Sequence, residues 1–491
     1  MNVKYPRILE INSRIWLKRF GKNATLADVP DSQIDFWKSI GYNYVWLMGV
    51  WNNNKKVIDE YCFEPELIKS YTDALKDWHK DDVIGSPYSI DTYKINSLLG
   101  TKEDLLNFKK RLNDAGIYLI LDFVCNHFSA KSSLIWTNKE IFLPADEYIF
   151  KNDPYTFYPS PANDNEYLAH GRDPLFPPWK DTVQINFYEP KARRYLINIL
   201  LELTELCDGV RCDMAMLPLN NIFFNTWIGV LKKYGYEKPE KEFWEEAIAQ
   251  VKSKRENFVF IAETYWDLEW QLQKLGFDFT YDKRLTDRLV GGDIQSIRDH
   301  LQADEEYQNK SVRFLENHDE ERAIAKLGRE RSLAAAVIVS TIPGAAFYFD
   351  GQCDGKKIKI PVQLGREPEE KQDEKIKEFY KKLLNITKEE IFRNGSWKYL
   401  ETTPVASSDL SNDNLLAWEW RFGDEMRIVV VNYNNNTSRC RLKFNISSEK
   451  DEVTLIDLIN NNTYKRSAKE ISEKGLFIEL KSFNSHIFQL F

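Results

Sequence analysis

Eight short apolar runs, rich in β-branched and aromatic residues, recur along the first three quarters of the chain. They are RILEIN (7–12), YNYVWLM (42–48), IYLILDFV (117–124), CDGVRCD (207–213), NFVFIAET (257–264), FDFTYD (277–282), SVRFLENHD (311–319) and AAFYFD (345–350). Between them the apolar positions recur at three- and four-residue spacing, the helical period. TKEDLLNFKKRLNDAG (101–116) opens on Thr101 as N-cap and closes at Gly116, and PKARRYLINILLELTEL (190–206) carries Pro190 at its start. Strands alternating with helices predict a parallel sheet, and eight such units predict an α/β fold closed into a (β/α)8 TIM barrel. Residues 127–186 break the rhythm with a Pro- and Asp-rich stretch after the third run, too long for a plain connection and expected to form an insertion domain over the barrel. Past residue 397 the pattern turns to hairpin-like strands (LLAWEWRF, MRIVVVNY, CRLKFNI, EVTLIDL, GLFIEL, SHIFQLF) with turns such as YNNNTS, which predicts a C-terminal antiparallel β-sandwich. The expected organisation is a barrel from 1–126 and 187–397, an insertion over 127–186 and a sandwich over 398–491.

Composition narrows the function classes. With 491 residues, 43% hydrophobic and 29% charged, the chain suits a large globular core. The net charge of -8 comes from acids and bases mixed along the chain, which argues against nucleic acid as a partner. The longest apolar stretch, LAAAVIVSTIPGAAFYF (333–349), is broken by Pro343-Gly344 and reads as a helix running into a buried strand, so no membrane partner is expected. Six scattered cysteines (Cys62, Cys125, Cys207, Cys212, Cys353, Cys440) without a CxxC point to free thiols in a reducing compartment. Charged residues break up the N-terminus, which does not read as a signal peptide, and a cytoplasmic address is expected.

The chemistry concentrates where the runs end. In CDGVRCDMAM (207–216), Arg211 and Asp213 lie two apart on a strand and so share one face, the barrel interior. A guanidinium beside Asp213 is expected to lower its pKa, whereas Glu263, followed by Tyr265 and Trp266, is expected to have its pKa raised. Two carboxyls pushed apart in this way suit a retaining glycosidase, which holds them about 5–5.5 Å apart. Asp122, Asn126 and His127 follow the third run, and His318 with Asp319 end the seventh. His127 and His318 lack the partners of a zinc site. His79, His170, His300 and His486 read as surface or loop residues, and Cys125 and Cys212 as packing residues.

DFVCNH (122–127), GVRCDMAM (209–216), FIAE (260–263) and LENHDE (315–320), in that order, resemble the four short motifs of the α-amylase superfamily, glycoside hydrolase family 13. GSPYSIDTYKINSLLGT (85–101) resembles that family's second-strand region, so the similarity spans nearly the whole chain. The resemblance implies Asp213 as nucleophile, Glu263 as general acid/base and Asp319 as the carboxylate that grips sugar hydroxyls in the transition state. It further implies that Arg211 orients Asp213, that His127 and His318 bond hydroxyls of the sugar at the cleavage point, that Asp122 braces the pocket floor and that Tyr88 stacks under that ring. Met216-Leu217 stand where members that split long starch chains often carry Lys-His, which bears on acceptor-side contacts. Asn126 matches a residue that holds a structural calcium in many members. TVQIN (182–186), similar to a further family motif, has Gln184 where an aspartate is common. Calcium is therefore left open at Asn126, and no cofactor is required.

The expected activity is retaining hydrolysis of α-glucosidic bonds, α-1,4 foremost, in α-glucan oligosaccharides. Two alternatives stand beside it: a transglycosylase using the same site, and a non-catalytic carbohydrate-binding protein on the same scaffold.

Overall fold

In the computed structural model, which describes residues 3–446 and 451–491, the eight apolar runs become strands β1 (Arg7–Asn12), β2 (Tyr44–Met48), β3 (Tyr118–Val124), β4 (Gly209–Asp213), β5 (Val259–Ala262), β6 (Phe279–Tyr281), β7 (Ser311–Arg313) and β8 (Ala345–Phe349). All pair in parallel in chain order, and β8 closes on β1, as in Ile8↔Phe347. Helices such as Lys102–Asp114, capped by Thr101, and Pro190–Leu206 return the chain between strands.

Alternation along each strand sorts the side chains into two layers. Inward-facing Ile8, Trp46, Ile120, Ile261, Tyr281, Val312 and Phe347 fill the barrel, while a larger apolar layer lies between strands and helices. Burying each such side chain contributes about 1.5–3 kcal/mol. The inward rows turn charged at their C-terminal ends, where Glu10, Asp122, Arg211, Asp213 and Glu263 are buried.

The stretch 333–349 divides as expected into a helix (Arg329–Thr341) and β8. Gly344 makes the turn at φ +106°, where a Cβ would strike the Ser311 carbonyl, so only glycine fits. No helix among the described residues is long and apolar enough to cross a membrane.

After β3 the chain leaves the barrel. Strand His127–Ser129 pairs antiparallel with Thr182–Gln184, and Pro144–Ala145, Phe157–Ser160 and Asn163–Ala169 form a small sheet between them. Beyond the barrel, six strands (396–399, 415–422, 425–432, 485–490, 452–457, 462–467 in spatial order) form one antiparallel sheet, and 402–403, 438–442 and 476–480 form another. Their shared core includes Leu415, Ile428, Val430, Cys440, Leu455 and Ile478.

One expectation is corrected, and one strand was not foreseen. The seventh run ends its ladder at Arg313, not at Asp319, because the chain turns into a braced loop. Buried Glu316 pairs with Arg322 at 2.7 Å, and Asn317 Oδ1 accepts from the Asp319 and Glu320 amides. The edge strand Asn462–Ser467 had no apolar alternation to reveal it, since most of its side chains face solvent.

Candidate active site

The register sets the centre of the site. Cys212 pairs with Ala262, so the next residues, Asp213 and Glu263, stand level on neighbouring strands, about 4.8 Å apart along the hydrogen-bonding direction. Arg211 pairs in register with Asp122 on the other side. Its guanidinium joins all three carboxyls: Nη1 donates to Asp213 Oδ1 at 2.8 Å and to Asp122 Oδ1 at 3.4 Å, and Nη2 forms an ion pair with Glu263 Oε2 at 2.7 Å, out of line with the N–H. The rings of Trp46, Tyr88 and Tyr281 enclose it at 5.1, 5.2 and 5.7 Å. Arg211 is 1% exposed and stays charged because those carboxylates and ring faces outweigh its desolvation.

The carboxyls settle differently. Burial raises the Glu263 carboxyl to about 7 against the opposing pull of Arg211, with Asp213 and Asp319 adding to the rise. Met214 N donates to Oε2 at 2.7 Å and the Tyr265 hydroxyl to Oε1 at 2.9 Å. Met214 reaches that position with a left-handed backbone, φ +45°, directly after Asp213. The expectation for Asp213 is overturned. Its carboxyl is raised, not lowered, because the cost of burying its charge exceeds what Arg211 returns. Asp122, with Oδ2 unpartnered, is raised by burial to about 7.

His318 and Asp319 complete the rim. Asp319 Oδ2 lies 2.8 Å from His318 Nε2, and its side chain is 48% exposed at the opening. Burial pushes this carboxyl up, yet the charge and hydrogen bond of His318 hold it at about 2. The His318 ring is desolvated, but the carboxylates of Asp319 and Glu10 raise its pKa well above the usual value, which makes it an imidazolium. Its Nδ1 donates to Glu10 Oε1 at 2.5 Å. The Tyr88 ring stacks on His318 at 5.3 Å, with its hydroxyl 2.8 Å from Nε2. His127, buried beside Trp179 with ring centroids 5.2 Å apart, is lowered by burial to about 4 and is neutral.

The structure thus gathers Asp213, Glu263, Asp319, Arg211, His318, Asp122 and Tyr88 into one network at the C-terminal end of the barrel, and places His127 at the adjoining start of the excursion. The sequence leaves calcium open at Asn126, and the geometry there is specific. Asn126 Oδ1 and its backbone carbonyl both face the Gln184 amide, and the residues present do not fit the ion. Met216 and Leu217 are buried and present nothing to a ligand. His170 and His300 are internal, not surface residues: one stacks on Tyr158 at 4.2 Å and the other meets Asp282 at 2.8 Å. Cys125 and Cys212 are buried with thiols pushed well up, as suits packing.

Sequence reasoning missed Glu10 and Lys359. Glu10 follows Ile8 on the inward face of an otherwise apolar strand, and that charge was the available signal. Lys359 comes from the loop after β8 and donates to the Asp319 carbonyl. No pattern marks it.

A carboxyl near neutrality has a direct consequence. If proton donation by Glu263 is needed, kcat/KM is expected to hold up to about pH 7 and fall tenfold per unit above it, because the raised pKa keeps the acid protonated only below that point. A profile flat to pH 9 would remove Glu263 from that role.

Residues 28–401 match the family model described as "Alpha amylase, catalytic domain". Alpha-amylase 3 of Dictyoglomus thermophilum is 24% identical over 490 aligned residues, covering 88% of this chain and 85% of that protein. The α-amylase MalA of Haloarcula japonica is 24% identical and covers 83% of the chain, which spans 52% of that protein's length. A cyclomaltodextrin glucanotransferase of Bacillus sp. strain 17-1 is 23% identical, covering 71% of this chain and 47% of its own. Among solved structures, the maltogenic α-amylase AmyB of Thermotoga neapolitana superposes with a TM-score of 0.71 at 21% identity, over 100% of this chain and 99% of that one.

Proposed function

The chain belongs to the α-amylase family, and from this premise we propose that it is a glycosidase that hydrolyses α-glucosidic bonds, α-1,4 foremost, in malto-oligosaccharides with retention at the anomeric carbon. The observation that carries the reading is the level pair Asp213 and Glu263, bridged by Arg211. Adjacent strands suit the short carboxyl separation of retaining enzymes.

Arg211 occupies Asp213 Oδ1 and leaves Oδ2 to attack the anomeric carbon. The Met214 amide donates to Glu263 Oε2 and the Arg211 charge lies 2.7 Å from the same oxygen, so the carboxyl proton sits on Oε1, beside Tyr265. That proton passes to the glycosidic oxygen as its bond to the anomeric carbon breaks and the Asp213 ester forms. Glu263, now ionised, takes a proton from water, whose oxygen displaces Asp213. Asp319, held ionised, accepts from hydroxyls as the ring flattens, and the aromatic face of Tyr88 packs beneath it. The six free cysteines support a reducing, cytoplasmic setting.

The glucanotransferase likeness keeps transfer to a second sugar as the rival second step. Purified protein incubated with maltoheptaose is expected to release only shorter products, with the anomer of the substrate retained when proton NMR follows the first turnovers. Products longer than maltoheptaose would make it a transglycosylase, and inverted anomers would sink the covalent route.

A further inference from the structure

The two ends of the excursion meet beside His127, and a side-chain amide stands at the junction. The pairing of 182–184 with 127–129 sets Gln184 opposite His127. Gln184 is fully buried, and its Nε2 lies 2.9 Å from Asn126 O, 2.9 Å from Asn126 Oδ1 and 3.0 Å from Ile185 O. Two of those oxygens are main-chain carbonyls, which only accept, so the amide nitrogen and not its oxygen must face them. The Gln184 carbonyl then turns to Asn126 Nδ2 at 3.3 Å.

Three oxygens converging on one buried point are a donor set that a hard cation takes, at 2.3–2.6 Å for calcium. Here the point is a nitrogen at hydrogen-bond length. Among the described residues, no group of three or more His, Cys, Asp or Glu is placed to hold a metal. We propose that Gln184 is a built-in substitute for a metal ion. Asn126 O also accepts from the Ile185 amide at 3.0 Å, and the neutral Gln184 amide supplies the donor that Asn126 Oδ1 and Ile185 O would otherwise lack, so the closure of the excursion onto the barrel is independent of divalent cations.

The test compares the Tm of the full chain in excess EDTA and in millimolar calcium. The two values are expected to coincide. A Tm that falls in EDTA and returns with calcium would overturn the proposal. In Gln184→Glu, the donor becomes a fourth acceptor and an anion, so Tm is expected to drop in EDTA and recover with calcium by about 2–4 °C or more. A variant as stable as the parent in EDTA would also overturn it. Should Gln184→Glu fail to fold, Gln184→Met deletes the amide, its donors together with the oxygen that faces Asn126 Nδ2, and its Tm is expected to fall equally with and without calcium. An unchanged Tm there would show that the amide satisfies nothing.

Discussion

Asp213→Asn is expected to lower kcat on maltoheptaose by at least about 10⁴-fold, the scale on which single nucleophile or base replacements act, while Tm stays level or rises. The two halves have one cause. Burial raises the Asp213 carboxyl even with Arg211 at 2.8 Å. A carboxyl whose folded pKa lies above its unfolded value loses stability as pH rises past that unfolded value, so at neutral pH the ionised group weakens the fold. Asparagine keeps the shape and removes that charge, and Arg211 retains Glu263 and Asp122 as partners. Turnover and a melting curve on the same preparation decide it. Activity lost together with several degrees of Tm would reflect damage to the fold. Activity retained would place the nucleophile elsewhere, and a parent without turnover would leave a carbohydrate-binding protein on this scaffold.

Arg211→Met is expected to cost about 3–5 kcal/mol of stability, the range for removing one partner of a buried ion pair. The guanidinium is the shared cation of three buried carboxyls and sits inside three aromatic rings, and methionine fills part of that space without a charge. The deficit, read as a shift in urea midpoint at constant slope, is expected to shrink as pH falls toward 5. Without Arg211 each carboxyl's pKa rises further, and protonation then removes the unpaired charges. A deficit independent of pH would mean that lost packing, and not lost compensation, is the cause. The acid limb of any residual kcat/KM profile is expected to move upward for the same reason.

The barrel was legible because each strand must bury an apolar inward row, and that requirement writes itself into local runs. Charges inside such runs, as at Arg211 and Asp213, mark a site for the same reason. Glu10 shows where this reading stopped. It obeys the same rule, but its meaning depends on His318, 308 positions away, which no local pattern connects to it. Lys359 lies on a loop whose path is set by packing after β8, and nothing in its neighbours announces that it reaches Asp319.

The sequence by itself determined the order of strands and helices, the closed α/β barrel with its trailing β-sheets, and the residue types gathered at the strand ends, because periodicity and charge are local properties of the chain. The tertiary structure alone decided which way Asp213 titrates, that Arg211 holds Glu263 as well as Asp213, and that the Gln184 amide occupies the oxygens of Asn126. Each of these turns on how deeply a group is buried and on what approaches it from a distant segment, and the cost of burying a charge against the pull of a nearby opposite charge is settled only by that geometry.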